Sequence, residues 1–260
     1  MDSLNDVAEA FLHIWLSKTF DSSVDVDIGS LSIDDAYEVQ RQVIAARVAQ
    51  GEHIVGYKVG CTSRAIRQQF GLTEPICGRL VAPHVHHGDT RLNLHDYVNC
   101  AVEPEFVLGL GNDVRTDVED EKKLLDAIEW VAPGIEVHNY KFWFGEPTSQ
   151  ELIASNGIHA GLVVGDRRVS PTEMDFDLEG VGLFRNGELE ASGVGAEIMG
   201  GPLKSLRWLA NHLVRYGEHL RAGQLVIPGS PGELITVEPG DRMTASFTRI
   251  GSVEAEFSVG

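Results

Sequence analysis

The stretch Val102-Glu103-Pro104-Glu105-Phe106-Val107-Leu108-Gly109-Leu110 constrains this chain more than any other. Branched and aromatic residues fill its second half, which predicts a β-strand. Side chains on a strand alternate between faces, so Glu103 and Glu105 point the same way, roughly 7 Å apart along the chain. From Phe106 onward both faces are apolar, as in a strand that enters a core. Two carboxylates at the mouth of a buried strand lose hydration and repel each other, and only protonation or a cation relieves them. A divalent metal is the simplest answer. The competing reading places both glutamates on the solvated face of an edge strand, which Pro104 also suits.

The rest of the chain fits a β-rich core behind a helical start. Leu4, Val7, Ala8, Phe11, Leu12 and Trp15 recur at helical spacing and predict a helix from 4 to about 18. A second helix is predicted from Ser32, with Asp34 and Asp35 in its first turn and Ala36, Val39, Val43, Ile44 and Val48 as its apolar stripe. The polar loop Asp21-Ser22-Ser23 joins the two, so residues 1–52 read as a helical cap and 53–260 as the catalytic core. After Gly51, glycine recurs about every ten residues between short apolar runs, the signature of many short strands. Further helices are predicted near 62–69, 120–130, 148–154 and 203–220, the last with Pro202 at its first turn. The fold class expected is α+β with a mainly antiparallel sheet core.

Charge and composition exclude several functions. The formal charge of −18 disfavours nucleic acid and anionic membranes, which reward basic surfaces. It also requires a local cation for any anionic substrate. No apolar run is long enough to span a bilayer. The acidic start Met1-Asp2-Ser3-Leu4-Asn5-Asp6 lacks the pattern of a signal peptide. Cys61, Cys77 and Cys100 have no paired spacing and read as small buried residues in a reducing compartment, which points to the cytoplasm.

Few other residues invite chemistry. Glu136, in the strand-like run Pro133-Gly134-Ile135-Glu136-Val137-His138-Asn139, is either a third carboxylate or a solvent-facing residue. Three oxygen ligands without cysteine favour a hard ion, Mg²⁺ or Mn²⁺. Lys58, in Gly56-Tyr57-Lys58-Val59-Gly60, must pair, snorkel or work. It is either a proton donor or anion clamp at the carboxylates, or a lysine snorkelling at a strand edge. His84-Val85-His86-His87 has no cysteine or carboxylate at zinc spacing, and Pro83 and Gly88 suggest a loop. There is no Gly-x-Ser-x-Gly elbow or P-loop, and Gly193-Val194-Gly195 is too short for a dinucleotide fingerprint.

Together these pieces resemble the 2-hydroxypentadienoate hydratase and 4-oxalocrotonate decarboxylase family of the fumarylacetoacetate hydrolase superfamily. Gly56-Tyr57-Lys58-Val59-Gly60-Cys61-Thr62-Ser63 resembles its Lys-Val-Gly-x-Thr-Ser segment. Val102-Glu103-Pro104-Glu105-Phe106 is similar to its Glu-x-Glu metal strand, and Gly134-Ile135-Glu136-Val137 to the strand with its third metal carboxylate. The helix after Gly201-Pro202, the turn Pro228-Gly229-Ser230, Gly240-Asp241 and Ile250-Gly251-Ser252-Val253 continue the likeness, which runs from about Ser32 to Phe257. The resemblance implies a mixed β-sheet core rolled into a barrel-like shape. It implies Mg²⁺ or Mn²⁺ on Glu103, Glu105 and Glu136, chelating the head of a short 2-oxo acid or dienoate and stabilising its enolate. It also implies proton transfer by Lys58, a substrate carboxylate held at Gly229 and Ser230, a pocket-lining Leu72 and a homo-oligomer.

Departures from the pattern fall near the site. His138-Asn139-Tyr140 replaces an expected Asp-Ser, and Ala154-Ser155-Asn156-Gly157-Ile158-His159 replaces Ala-Asp-Asn-Ala-Ser-Ser. His159 is either a substitute proton carrier or a solvent-facing strand residue. The resemblance implies a lyase that adds water to a 2-hydroxy-2,4-dienoate to give a 4-hydroxy-2-oxo acid, in the meta-cleavage breakdown of aromatic compounds. The alternatives are decarboxylation of a 2-oxo-enedioate, a hydrolase or tautomerase of another 2-oxo acid, and a non-catalytic partner module.

Overall fold

The computed structural model describes residues 3–21, 27–115 and 119–260. Of the expected Asp21-Ser22-Ser23 loop, both serines lie outside these. The chain opens with α1 (Leu4–Ser17) and α2 (Ile33–Ala49), each begun by a capping box, Ser3 with Asp6 and Ser32 with Asp35. Val7, Phe11, Val39 and Val43 bury against one another, with Ala154 closing the cluster from below.

The remaining elements follow in order: β1 (His53–Gly60), α3 (Arg64–Gln69), β2 (Ile76–Ala82), β3 (Val85–His87), β4 (Thr90–Asn93), β5 (Cys100–Leu110) and α4 (Glu121–Ala127). Then come β6 (Ile128–Asn139), α5 (Ser149–Ala154), β7 (His159–Val164), β8 (Gly180–Arg185), β9 (Glu188–Val194) and α6 (Pro202–Arg215). The chain closes with β10 (Leu225–Ile227), β11 (Ile235–Thr236), β12 (Arg242–Phe247) and β13 (Gly251–Ser258). Among the described residues, a curled eight-stranded sheet runs β2-β1-β10-β5-β6-β7-β3, with β11 also on β5. A five-stranded sheet, β4-β13-β12-β8-β9, packs across β6. The fold is thus α+β with mixed sheets: most pairs are antiparallel, while β1–β10, β3–β7 and β4–β13 are parallel.

Three expectations shift. The helix expected over 120–130 ends at Ala127, and Ile128 and Trp130 begin β6 instead, because pairing with β5 buries Ile128 and Val131. The helix expected over 203–220 stops at Arg215. Val85-His86-His87 is a short strand rather than a loop, paired with β7 from Val85↔Leu162 to His87↔Val164.

The long antiparallel pair β5–β6 carries the core and the site together. Phe106, Leu108, Val131 and Ile135 are fully buried along it. A buried polar network ties the helical layer to edge strand β2. Gln40 Nε2 donates to the carbonyls of Cys77 (2.9 Å) and Ile153 (2.7 Å), and Arg79 Nη1 donates to Gln40 Oε1 (2.8 Å). Satisfied networks of this kind specify one packing, since each buried group lacks any other partner.

Candidate active site

The register of β5 on β6 sets Glu103 directly opposite Glu136. Like charges at such a cross-strand position repel, and here burial removes the water that would screen them. Glu136 and Glu105 are almost wholly buried, while the Glu103 side chain keeps about a quarter of its exposure. Glu136 is therefore no solvent-facing residue.

Lys58 is buried as well, so it neither snorkels nor sits at a wet edge. It lies on β1, and its Nζ is 2.6 Å from Glu136 Oε1 and donates to the Gly157 carbonyl at 3.0 Å. Burial alone would depress the ammonium, but Glu136, and with it Glu103 and Glu105, outweighs that and holds Lys58 above its ordinary value. Burial favours protonation of Glu136, yet Lys58, His138 and His159 hold its carboxyl far below the usual range. Glu105 goes the other way. Burial, then repulsion from Glu136 and Glu103, pushes it well above the ordinary value, although Gly229 N–H donates to its Oε2 at 3.1 Å.

Two histidines complete the cluster. His159 opens β7, fully buried, with Nδ1 2.7 Å from Glu136 Oε1. Burial drives its imidazole down to about 4 despite that bond. The neutral ring donates from Nδ1, which leaves Nε2 without a partner among the described residues. His138 Nε2 is 3.1 Å from Glu103 Oε2 and 3.6 Å from Glu136 Oε2. Glu103, Glu136 and His138 each offer a ligand atom within 4.8 Å of the others. Among the described residues, Glu136 Oε2 has no hydrogen-bond partner. A buried carboxylate oxygen with no donor, facing a second carboxylate, is the fit a cation requires.

Sequence reading passed over His138 as a ligand, although alternation puts it on the same face of β6 as Glu136. It also passed over the Gly157 carbonyl, a backbone group invisible in any motif. Gly157 itself has φ +64°, and a Cβ there would lie 3.2 Å from Lys58 Cε. Gly229 has φ +118°, and a Cβ would press within 2.5 Å of the Thr62 side chain. Ser230 Oγ turns back to the Gly232 carbonyl at 3.1 Å, beside Gly229 on the cavity wall. Leu72 is half-buried against the main core and is not among the residues that line the cavity. His84 pairs with Glu52 at 3.1 Å and packs edge-on to Trp15, which gives it a structural partner.

The cavity over the cluster measures about 610 Å³, within the range of small-molecule sites. Lys58 is the one cation among the described residues lining it, and Glu103, Glu197 and Glu233 are the acids. Ile66, Phe70, Phe142, Leu152 and Ile158 form an apolar wall.

The family model for the fumarylacetoacetate (FAA) hydrolase C-terminal region matches residues 75–258. The 2-keto-4-pentenoate hydratase of Paraburkholderia xenovorans (strain LB400) is 33% identical over 228 residues, covering 87% of this chain and 84% of that protein. The 2-oxo-hept-4-ene-1,7-dioate hydratase of Escherichia coli is 27% identical over 241 residues, 90% of each chain. Among solved structures, 4-oxalocrotonate decarboxylase from Pseudomonas putida G7, complexed with magnesium and adipate, superposes with a TM-score of 0.92 at 29% identity. That superposition covers 98% of this chain and 97% of the other.

Proposed function

This chain belongs to the fumarylacetoacetate hydrolase C-terminal family, and from that premise we propose that it is a divalent-metal-dependent hydratase. It adds water to a 2-hydroxy-2,4-dienoate and releases a 4-hydroxy-2-oxo acid. The observation that carries this reading is the buried pairing of Glu103 with Glu136, with Glu136 Oε2 unpartnered and the Lys58 ammonium 2.6 Å from Oε1.

Glu103, Glu105 and Glu136 would hold the metal, and His138 would orient Glu103 through its Nε2 contact. An oxygen-only set suits Mg²⁺ or Mn²⁺. When bound, the metal supplies Lewis-acid stabilisation of the negative charge that develops on the chelated head of the substrate.

The chain's own residues do the rest. Lys58 carries a proton at Nζ, steered between Glu136 Oε1 and the Gly157 carbonyl, where it can be delivered to a carbon of the enol form. Gly229 and Ser230 lie on the wall where the carboxylate end of the substrate would lodge. The apolar wall from Ile66 to Ile158 excludes water around the tail and strengthens the charged contacts at the head.

That wall also favours the hydratase reading over decarboxylation of an enedioate. Among the described residues lining the cavity, a second carboxylate would meet Glu197 and Glu233 and no cation but Lys58, which is already paired. Three cysteines without a disulfide suit a cytoplasmic enzyme. Among the described residues, no helix is long and apolar enough to cross a membrane.

Calorimetric titration of metal-stripped protein with oxalate, with and without Mg²⁺ or Mn²⁺, tests the head site. Oxalate copies the chelating end of any 2-oxo acid. Metal-dependent binding that Glu103→Gln abolishes is the expected result. The absence of binding with either metal would overturn the reading. Product analysis then separates added water from released CO₂.

A further inference from the structure

Ile158, on the wall of the site, is a β-branched residue with a positive φ. Its φ is 54°, a left-handed conformation that a branched residue adopts only when its surroundings impose it. The surroundings do so. Asn139 N–H donates to the Ile158 carbonyl at 2.9 Å, and Ile158 N–H donates to Ser155 Oγ at 3.2 Å. The preceding residues are fixed too, with Asn156 bonded to both backbone groups of Arg79 and Gly157 N–H bonded to the Leu152 carbonyl at 2.7 Å. Asn156 and Gly157 are also left-handed, so the chain makes three such residues in a row.

This arrangement places Ile158 in a wall with a cavity on each side. On one side is the cavity over Lys58 and Glu103. On the other is a smaller cavity of about 60 Å³ under the N-terminal helices, walled by Phe11, Trp15, Val43, Phe20 and Trp143. Ile158 is the one described residue that lines both. It follows directly on Gly157, whose carbonyl receives Lys58 Nζ.

We propose that Ile158 is a specificity-determining residue, a partition that ends the tail channel and restricts the enzyme to dienoates with short apolar tails. The space beyond it is mostly aromatic and apolar, with Arg47 and Lys141 also on its lining, so a tail admitted past the partition meets chiefly hydrophobic walls. The strain is retained because a relaxed residue here would not hold a branched side chain between the two cavities. This inference rests on the reading of the head site given above.

The experiment uses Ile158→Ala, Ile158→Gly and Ile158→Val in the full chain. Glycine accepts the left-handed backbone without strain, so at least one shortened variant folds. Valine keeps the branch at Cβ and serves as the control. With Mg²⁺ present, kcat/KM is measured for 2-hydroxypenta-2,4-dienoate and for analogues whose chain is longer by several methylenes. Binding of pyruvate and of 2-oxooctanoate is measured in parallel by calorimetry.

In the alanine and glycine variants, the long-to-short ratio of kcat/KM should rise by about tenfold or more, the discrimination one or two methylenes support. The 2-oxooctanoate-to-pyruvate affinity ratio should rise with it, while Ile158→Val stays near the wild type. An unchanged ratio in both shortened variants, with metal-dependent oxalate binding intact, would overturn the partition and leave the head-site reading standing. Absent oxalate binding in the wild type would overturn both.

Discussion

Asn156 is a side chain that takes the place of a strand. β2 lies at the edge of the large sheet, and at Arg79 its outer backbone groups face Asn156. Asn156 Oδ1 accepts from Arg79 N–H at 2.7 Å, and Asn156 Nδ2 donates to the Arg79 carbonyl at 2.8 Å. Asn156 is only 4% exposed, so water does not replace these bonds when they are removed. Each buried group left unpaired costs about 1–3 kcal/mol, which gives roughly 4 kcal/mol for the pair. Asn156 also sits at φ 63°. Alanine in that conformation adds about 1–2 kcal/mol, whereas glycine escapes it but loses about 0.4–1 kcal/mol through its freer unfolded chain. Asn156→Ala should therefore destabilise by roughly 5 kcal/mol, and Asn156→Gly by about 1 kcal/mol less. Urea unfolding followed by tryptophan fluorescence, with linear extrapolation, measures both. The same substitutions free the Gly157 carbonyl that holds Lys58, so activity should fall more than metal-dependent oxalate binding does. An Asn156→Ala variant within about 1 kcal/mol of the wild type would refute the reasoning, as would a glycine variant that is the less stable of the two.

Lys58→Ala should lower kcat by roughly 10² to 10⁴ if the ammonium delivers a proton, and steady-state turnover of the dienoate reads this directly; turnover at the wild-type rate would remove Lys58 from the chemistry. His212 predicts a pH effect remote from the site. Its ring is buried among Tyr37, Trp208 and Tyr216, and Nδ1 lies 2.8 Å from Arg215 Nη2, which donates to it and fixes the neutral form. Burial, with Arg215 beside it, pushes this imidazole down to about 4. The unfolded chain takes up a proton near the ordinary histidine value of about 6.5, whereas the folded chain refuses it until about 4. Stability should thus decline as pH falls through that window, by up to about 3 kcal/mol from this residue. His212→Phe should flatten that part of the pH profile of urea midpoints, and an unaltered slope would contradict the assignment.

What the sequence determined by itself was a set of local preferences. Ser32 announces a helix because its side chain caps the first turn, and the apolar run from Phe106 can be satisfied only inside a core. The period of two that puts Glu103 and Glu105 on one face is a property of any strand. The likeness of Lys58, Glu103, Glu105 and Glu136 to a family pattern was legible for the same reason, as chemistry on regular elements leaves a regular trace. The end of α4 was not legible, because Ile128 and Trp130 fit a helix until β5 is present to pair with them.

The tertiary structure decided who meets whom. Register across β5 and β6, not spacing along either strand, sets Glu103 against Glu136 and draws in His138. Burial removed the snorkelling reading of Lys58 and the solvent-facing readings of Glu136 and His159, because only a folded chain takes water from all three at once. The carbonyl that holds Lys58 and the strained Ile158 owe their positions to bonds from Asn156, Asn139 and Ser155. These contacts join segments far apart in the chain, and a sequence carries no record of distances it has not yet closed.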